Sequence, residues 1–137
     1  MINMKAERQF IGNSTYRSRL VDGHFHTELC PHGSGDRTAL MIEKAIELRI
    51  EKVCLTEHAP LPKAFEAEYG GNKIAYDTAS LKLNQVDSYL ELGRELQRAY
   101  GTHIDISLGF EVDYIPGFEA DIQEFLDRYG PLTDDNI

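Results

Sequence analysis

The sequence predicts an α/β domain in which parallel strands are connected by crossover helices. Segments with strand and helix patterns alternate from residue 19 to residue 130, and such alternation is typical of parallel sheets. The chain has 137 residues, of which 42% are hydrophobic, which is enough for one modest domain with an ordinary core. Both observations favour a single layered domain.

The first two predicted strands flank a helix. The first strand lies in "RLVDGHFH" and is predicted to end near Asp22, and the second is "EKVCLTEH", which combines apolar and β-branched residues. Between them "GDRTALMIEKAIEL" has the pattern of a helix, with Asp36 as its cap. Arg49 stands where a helix-ending glycine would be expected, and a left-handed conformation there would cost on the order of 1 kcal/mol. The apolar stripe predicted for this helix comprises Leu40, Met41, Ala45 and Leu48.

The second half of the chain adds a long connection and one further strand. The segment "APLPKAFEAEYGGNKIAYDT" is predicted to be a long loop, and long loops in compact domains often bind ligands. A long helix "ASLKLNQVDSYLELGRELQRAY", a third strand "HIDISLGFEVDYI" and a helix "GFEADIQEFLDRYG" follow. Gly130 and Pro131 should stop the last helix. Another strand is expected to begin at "LTDDNI".

The charge of the chain is acidic and unevenly distributed. Residues 1–19 form a polar lead-in with a net charge of +3 (four basic residues against Glu7), so the remainder of the −9 chain carries −12. An acidic body argues against binding to a nucleic-acid backbone. It does not exclude a small phosphorylated substrate, because bound divalent metals can reverse the local field.

The sequence also indicates the cellular compartment in which the protein is expected. No apolar run reaches the length of a membrane span, and the N-terminus has no hydrophobic core of a signal peptide. Two cysteines, Cys30 and Cys54, do not make a disulfide framework, so we expect a cytoplasmic protein with no membrane partner.

Metal-binding side chains stand at the end of each predicted strand, in "DGHFH", "TEH" and "GFEVD". The ends of parallel strands meet at one edge of a sheet, so these groups should converge. His24 and His26 lie two residues apart, and on an extended segment both imidazoles can face one ion. The sequence therefore predicts a metal site whose ligands are His24, His26, His32, His58 and Glu111.

Other polar residues near these ligands are each compatible with two roles. Asp22, Glu57 and Asp113 could orient a ligand imidazole or bind metal themselves, although each could equally be a solvated or locally hydrogen-bonded carboxylate. Cys30 lies among the histidines, but no second cysteine stands at ligand spacing. His103 precedes the third strand and is expected on the far face from the site, which lies where the strands end.

Three motifs together make the chain resemble the PHP (polymerase and histidinol phosphatase) family of metal hydrolases. They are "DGHFHTELCPH", "LTEHAPLP" and "LGFEVDYIPGFE", and the last two favour the monofunctional histidinol-phosphatases within that family. Glu57 departs from the pattern, because many relatives have aspartate there. The resemblance covers residues 20–137 and implies the N-terminal half of a distorted (β/α)7 barrel.

The resemblance also implies a site and a reaction. His24 and His26 would bind one metal, Glu111 would bridge it to a second, and His32 and His58 would belong to a third. Up to three divalent ions (zinc, iron or manganese) would be held, and His24, His26 and Glu111 would be catalytic through the water that these ions activate. The implied reaction hydrolyses L-histidinol phosphate, a small phosphate monoester, to L-histidinol and phosphate in histidine biosynthesis.

The resemblance is partial in length. A complete βα-barrel needs roughly 250 residues, and three strand–helix units are predicted here, so residues 20–137 would form a partial PHP domain without its C-terminal half. The remaining ligands and the phosphate-binding residues would come after Ile137. We therefore expect this chain alone to be incomplete for catalysis, and the open edges of a half barrel could support self-association.

Alternative interpretations remain at this stage. A PHP-type nuclease or other phosphoesterase shares the ligand pattern, and the acidic charge argues against a nuclease. An amidohydrolase barrel also begins with two histidines in this spacing, but "TEH" does not fit that family. A non-catalytic metal-binding fragment is the alternative from a different functional class.

Overall fold

The computed structural model describes residues 19–137, which form three parallel strands with helices in the connections. Nearly all of the predicted lead-in (residues 1–19) lies outside the described residues. The strands are β1 (Val21–Phe25), β2 (Lys52–His58) and β3 (Asp105–Glu111); the helices are α1 (Thr38–Glu47), α2 (Lys73–Asp77), α3 (Val86–Tyr100) and α4 (Glu119–Tyr129); and 3-10 turns cover Lys63–Tyr69, Leu83–Gln85 and Gly130–Leu132.

The α/β class and the parallel sheet are confirmed. The strand order is β1-β2-β3, and β2 pairs with β3 without a break from Lys52 opposite Asp105 to His58 opposite Glu111. The described strands form an open sheet. All three strands end at the same edge, so the residues just after them come together there.

Strand β1 runs further than the sequence predicted and contains a bulge. The predicted end near Asp22 is wrong, because the strand continues to Phe25. The register shifts between Asp22 and Phe25, where three steps along β1 match two along β2. Bulges redirect side chains and are frequent next to functional sites, and this one contains His24.

The start of α1 is capped by a residue that is distant in sequence. The predicted cap at Asp36 is wrong: the cap position is Arg37, without a side-chain cap bond. Instead the Glu28 carboxylate accepts a hydrogen bond from the Thr38 N–H, and the Glu28 N–H donates to Thr38 Oγ1 at 3.1 Å. This reciprocal pair satisfies helix N–H groups as a local cap would, and it fixes the loop that follows the first histidines.

The apolar stripe predicted for α1 is only partly right. Leu40 and Leu48 are exposed, and the buried face is formed by Thr38, Ile42 and Ala45. The left-handed conformation expected after this helix is confirmed, since Arg49 has φ of 60°.

The connection between β2 and α3 is more ordered than a loop. The 3-10 turn Lys63–Tyr69 and the helix α2 lie within the segment that the sequence predicted to be unstructured. Tyr76 links α2 to the start of this connection, because its hydroxyl donates to the Leu61 and Pro62 carbonyl oxygens at 3.3 and 3.2 Å.

Helix α3 provides much of the core against the sheet. Its buried face presents Val86, Tyr89, Leu90 and Leu96. Leu83 lies before the first residue of α3, Val86, and is exposed. Gly93 allows close packing, since a Cβ there would lie 2.4 Å from a methyl carbon of Leu108 on β3.

The segment after α4 lies along the free side of β3. The Ile137 N–H donates to the Phe110 carbonyl oxygen at 3.0 Å, and the Val112 N–H donates to the Ile137 carbonyl oxygen at 2.9 Å. This alternation is the pattern of a parallel ladder, as expected where another strand begins. Gly109 permits the approach, because a Cβ there would lie 1.4 Å from the Asp135 carbonyl oxygen.

Helices in the described part of the chain were also compared with the length and hydropathy that a membrane span requires, and none meets both.

Candidate metal centre

Three predicted ligands converge at the edge where the strands end. His24 Nε2 lies 2.9 Å from His26 Nε2 and 2.9 Å from Glu111 Oε2, and His26 Nε2 lies 3.1 Å from the same oxygen. The bulge in β1 brings the two imidazoles into position, and Glu111 is the last residue of β3. Residues 87 positions apart therefore form one cluster.

The spacing of this triad fits a single divalent ion. Two ligand atoms bound at about 2.1 Å lie about 3.4 Å apart in tetrahedral geometry and about 3.0 Å apart in octahedral geometry. The three measured separations run from 2.9 to 3.1 Å. Two imidazole nitrogens and a carboxylate oxygen are also a common donor set for zinc and similar metals. The described residues could therefore hold a metal here.

His58 joins the same carboxylate from the neighbouring strand. Its Nδ1 lies 3.2 Å from Glu111 Oε2, so three imidazoles surround one carboxylate oxygen. Burial lowers the pKa of His58, and the nearby His26 and His32 act in the same direction against the opposing effect of Glu111. A low pKa keeps His58 neutral at neutral pH, which is the form of imidazole that binds metal.

Glu111 is held in its ionised form. Partial burial by itself would raise its pKa, but His58, His24 and His26 together bring the pKa below the ordinary glutamate value. The ionised carboxylate can therefore interact with positive charge on more than one side.

His32 lies beside the triad without being part of it. Its side chain is exposed, and its ring centroid is 4.9 Å from that of His58 and 6.4 Å from that of His26. The structure thus brings His24, His26, His58 and Glu111 into contact and places His32 at the rim of the cluster.

Glu57 is completely buried behind His26. Its Oε2 accepts hydrogen bonds from the Thr27 N–H at 2.9 Å and the Thr27 hydroxyl at 2.8 Å. Its Oε1 lies 3.8 Å from His26 Nδ1, the ring nitrogen that faces away from the triad. Sequence reasoning missed Thr27, although its position directly after the second histidine of "HFHT" was an available signal.

Tyr89 supports the same region from α3. Its hydroxyl donates to the Gly109 carbonyl oxygen at 2.6 Å and accepts from the Glu57 N–H at 3.3 Å. Burial strongly raises the pKa of Tyr89, so the hydroxyl keeps its proton and remains a donor. Sequence analysis did not single out this residue, because a tyrosine on an apolar helix face gives no sign of its hydrogen bonds.

Cys30 lies nearer to the histidines than the sequence could show. It is buried, and its Sγ is 3.5 Å from His26 Nδ1 and 3.8 Å from His32 Nδ1. His26, Cys30 and Glu57 form a second group with metal-ligand spacing. Burial raises the pKa of the Cys30 thiol, however, and Glu57 is already bonded to Thr27, so this group suits support of His26 better than a separate ion.

The remaining predicted residues lie at the margin. Asp22 Oδ1 accepts a hydrogen bond from the His24 N–H at 3.3 Å. Asp113 is exposed, and within residues 19–137 it makes no hydrogen bond to a ligand histidine. His103 follows α3 and precedes β3, at the opposite end of the strand from Glu111, as the sequence predicted.

Fold and site together define an α/β protein with a candidate metal centre at the C-terminal edge of a parallel sheet. A family model described as the PHP domain matches residues 22–133. The chain therefore belongs to the PHP-domain family, as its three motifs indicated.

Named relatives are consistent with this membership. The chain is 41% identical over 116 residues to the histidinol-phosphatase of Bacillus subtilis (strain 168), covering 85% of this chain and 41% of that protein. It is similar to a crystal structure from Listeria monocytogenes described as a proposed histidinol phosphatase, HisK, with a TM-score of 0.81 and 41% identity over 85% of this chain and 43% of that one.

A more distant solved structure shares the fold. It is the histidinol phosphate phosphatase (HisK) of Lactococcus lactis complexed with zinc, L-histidinol and phosphate, with a TM-score of 0.59 and 23% identity over 80% of this chain and 36% of that one. The present chain thus spans about two fifths of the length of the relatives that it matches.

Proposed function

We propose that the chain is the N-terminal part of a histidinol-phosphatase, which hydrolyses L-histidinol phosphate to L-histidinol and phosphate. One observation carries the proposal: His24, His26 and Glu111 form a triad with metal-ligand spacing in a PHP-domain chain that is 41% identical to a named histidinol-phosphatase. The protein would act in histidine biosynthesis, in the cytoplasm.

The ligand assignment within this proposal extends the triad. In this assignment His24 and His26 would hold one divalent ion, Glu111 would be shared with a second, and His32 and His58 would contribute to a third, with zinc, iron or manganese as the metals. The contact of His58 Nδ1 with Glu111 Oε2, at 3.2 Å, supports a shared centre, and the position of His32 beside His58 supports their pairing. In the complete protein these ligands would lie at the mouth of a (β/α)7 barrel.

Two carboxylates are proposed to orient the ligand histidines. Glu57 faces the Nδ1 side of His26 from a buried position, so it favours the tautomer whose Nε2 is free to bind metal. Asp22 holds the His24 backbone through the His24 N–H. Asp113 was expected to share this role, but it is exposed, and within residues 19–137 it makes no hydrogen bond to a ligand histidine.

The chemistry that divalent metals supply when bound is activation of water and neutralisation of phosphoryl charge. The chain's own residues would hold that centre in place. The side chains of His24, His26, His58 and Glu111 converge at the ends of three strands. Behind them lie the buried residues Glu57 and Tyr89, which are hydrogen-bonded to each other. An acidic chain without such a centre would repel a phosphate, so metal binding and substrate binding should depend on each other.

Comparison of substrates tests the reaction class. In a chain extended to the length of its relatives, kcat/KM for L-histidinol phosphate should far exceed that for bis(p-nitrophenyl) phosphate or single-stranded DNA. A higher kcat/KM for the diester or the DNA would replace this proposal with the nuclease alternative.

A further inference from the structure

The terminal segment, residues 134–137, bonds to β3 on both sides of the candidate ligand Glu111. The Ile137 N–H donates to the Phe110 carbonyl oxygen at 3.0 Å, and the Val112 N–H donates to the Ile137 carbonyl oxygen at 2.9 Å. Phe110 and Val112 are the two neighbours of Glu111 in the chain. Both peptide groups that flank the ligand are therefore bonded to one residue of the terminal segment.

Glu111 depends on this support because it lies where the sheet ends. It is the last residue of β3, and its pairing with His58 is the last step of the β2–β3 ladder. Just beyond that step its carbonyl oxygen accepts the Ala59 N–H at 2.9 Å. The ends of secondary-structure elements open more readily than their middles, and a ligand side chain must be held within about 0.5 Å of its binding geometry. The bonds on the free side of β3 therefore matter most at this position.

Side-chain oxygens take part in attaching the terminal segment to β3. The Leu108 N–H donates to Asp134 Oδ2 at 2.9 Å. The Phe110 N–H donates to Asn136 Oδ1, also at 2.9 Å. The amide of Asn136 is itself oriented, because its Nδ2 donates to the Thr133 hydroxyl oxygen at 3.0 Å. Since these acceptors belong to side chains, a single substitution can remove one of them.

Asn136 has the more direct connection to the ligand. Its side chain bonds to Phe110, the residue before Glu111, and the next residue in the chain is Ile137. Loss of the Asn136 oxygen would leave the Phe110 N–H without this partner and would remove the bond that keeps Ile137 in register with β3. The carboxylate of Glu111, which three imidazoles approach, would then be held from the β2 side alone.

We propose that Asn136 is a positioning residue for the metal centre: its bond to Phe110 keeps Ile137 bonded on both sides of Glu111 and thereby fixes the Glu111 carboxylate. The assignment rests on the ligand role that the proposed function gives to Glu111. It places a residue that touches no candidate ligand side chain among the groups that determine metal affinity.

The zinc affinity of the present chain, measured by competition with a chelator, tests this role. Asn136→Leu keeps a side chain of similar size but removes the acceptor oxygen. It should raise the Kd for zinc about tenfold, the lower end of the effect of losing a group behind a metal ligand. Asn136→Asp keeps an oxygen at the same place and should restore most of the affinity. Equal weakening in the two variants would overturn the assignment.

Asn72→Leu is the matched control for a general loss of stability. Asn72 Oδ1 accepts the Ala75 N–H at 3.1 Å, so the same kind of acceptor is removed at the start of α2. Urea unfolding should show similar destabilisation in Asn72→Leu and Asn136→Leu, whereas the Kd for zinc should stay within twofold in Asn72→Leu. Equal weakening of zinc binding in both, or unchanged binding in Asn136→Leu, would show that Asn136 has no positioning role.

A second variant decides the question if circular dichroism shows that Asn136→Leu does not fold. Thr133→Val removes the oxygen that orients the Asn136 amide and leaves Asn136 itself in place. It should weaken zinc binding more than Asn72→Leu does. Full affinity in folded Thr133→Val would then contradict the proposal.

Glu111→Gln separates this role from the proposed function. It should weaken zinc binding at least as much as Asn136→Leu. Zinc binding that requires Glu111 but not Asn136 would reject the positioning role and leave the metal centre, and binding that requires neither would reject both. Zinc binding that depends on Asn136, in a chain whose extended form does not hydrolyse L-histidinol phosphate, would support the positioning role and reject the phosphatase.

Discussion

The cluster around Glu111 shows how single side chains prepare a cation site. Three imidazole nitrogens approach one carboxylate oxygen within 2.9 to 3.2 Å, and the carboxylate stays ionised because these neighbours lower its pKa. Holding ligand atoms at this spacing costs free energy, because the side chains lose conformational freedom, and metal binding would offset that cost.

Removal of one imidazole should therefore empty the site. We expect His24→Ala to reduce bound divalent metal, with affinity falling by at least about 10–100-fold, the loss that removal of an outer-shell partner of a ligand already causes. Elemental analysis of the purified protein measures it. The control is His103→Ala, at the opposite end of β3, which should retain its metal. Equal metal content in the wild type and His24→Ala would contradict the ligand assignment.

Asp134 gives a prediction about acid stability. Partial burial by itself would raise its pKa, but the Leu108 N–H, the Gln97 amide and the Arg94 guanidinium together bring the pKa below the usual aspartate value. A lowered pKa in the folded state means that the ionised group stabilises the fold above the unfolded-state pKa, about 3.9, and that this contribution is lost as pH falls through the folded-state value.

The difference between wild type and Asp134→Asn should follow this pH dependence. In urea unfolding, the wild type should be more stable near pH 6, and the two midpoints should approach each other as pH falls below about 4. Asp87→Asn, which lacks the contacts of Asp134, should show no such convergence. A constant gap across this range would show that ionisation of Asp134 does not contribute.

At the scale of secondary structure, Tyr89 links α3 to both β2 and β3. Tyr89→Phe would leave the buried Gly109 carbonyl oxygen and Glu57 N–H without this partner, at a cost of about 1–3 kcal/mol. Urea unfolding would measure the loss. Tyr100→Phe removes a hydroxyl that bonds to the exposed Glu43, and it should cost much less than Tyr89→Phe. Equal effects of the two variants would argue against a special role for Tyr89.

The pairing between β3 and the terminal segment depends on Gly109. In Gly109→Ala the new Cβ would collide with the Asp135 carbonyl oxygen, so residues 134–137 would have to move away. Hydrogen exchange should then become faster at the Val112 and Ile137 N–H groups, which bond across this pair. Gly130→Ala is the control, because a Cβ at that position meets nothing within 4 Å. Unchanged protection in Gly109→Ala would contradict the pairing.

Sequence patterns predicted the strand–helix order and the convergence of His24, His26, His58 and Glu111, because both follow from local periodicity and from the geometry of parallel strands. They failed where contacts between distant residues decide local structure. The cap of α1 comes from Glu28, ten residues before Thr38, so the local signal at Asp36 was misleading. The bulge in β1 arises from pairing with β2, and no residue pattern in β1 encodes it.

At the scale of the whole molecule, the open sheet is expected to limit phosphatase activity. We expect residues 1–137 alone to show little or no phosphatase activity, even at full metal loading, compared with a chain extended by roughly 120 residues. With three described strands the centre faces water on one side, and electrostatic stabilisation weakens as the effective dielectric rises. Parallel assays with L-histidinol phosphate would compare the two. Comparable turnover would show that the three-strand unit is sufficient.

The same open sheet supports a proposal about association. Among the described strands, β1 pairs only with β2, and the exposed Leu20 and Val21 lie at its start. Unpaired strand edges of this kind promote association, so we expect the chain to self-associate at high concentration. Analytical ultracentrifugation over a range of concentrations would detect it, and a constant monomer mass would contradict it.

The three described strands lie in the sheet in the same order in which the ribosome makes them. Each strand of β1-β2-β3 lies next to the one made just before it, and the terminal segment pairs with β3 in turn. A ribosome releases residues from the N-terminus onward at about 5–20 per second, so β2 and β3 each emerge when the described strand that precedes them is already present. Folding can therefore proceed by addition at one growing edge, without waiting for a segment that is made later.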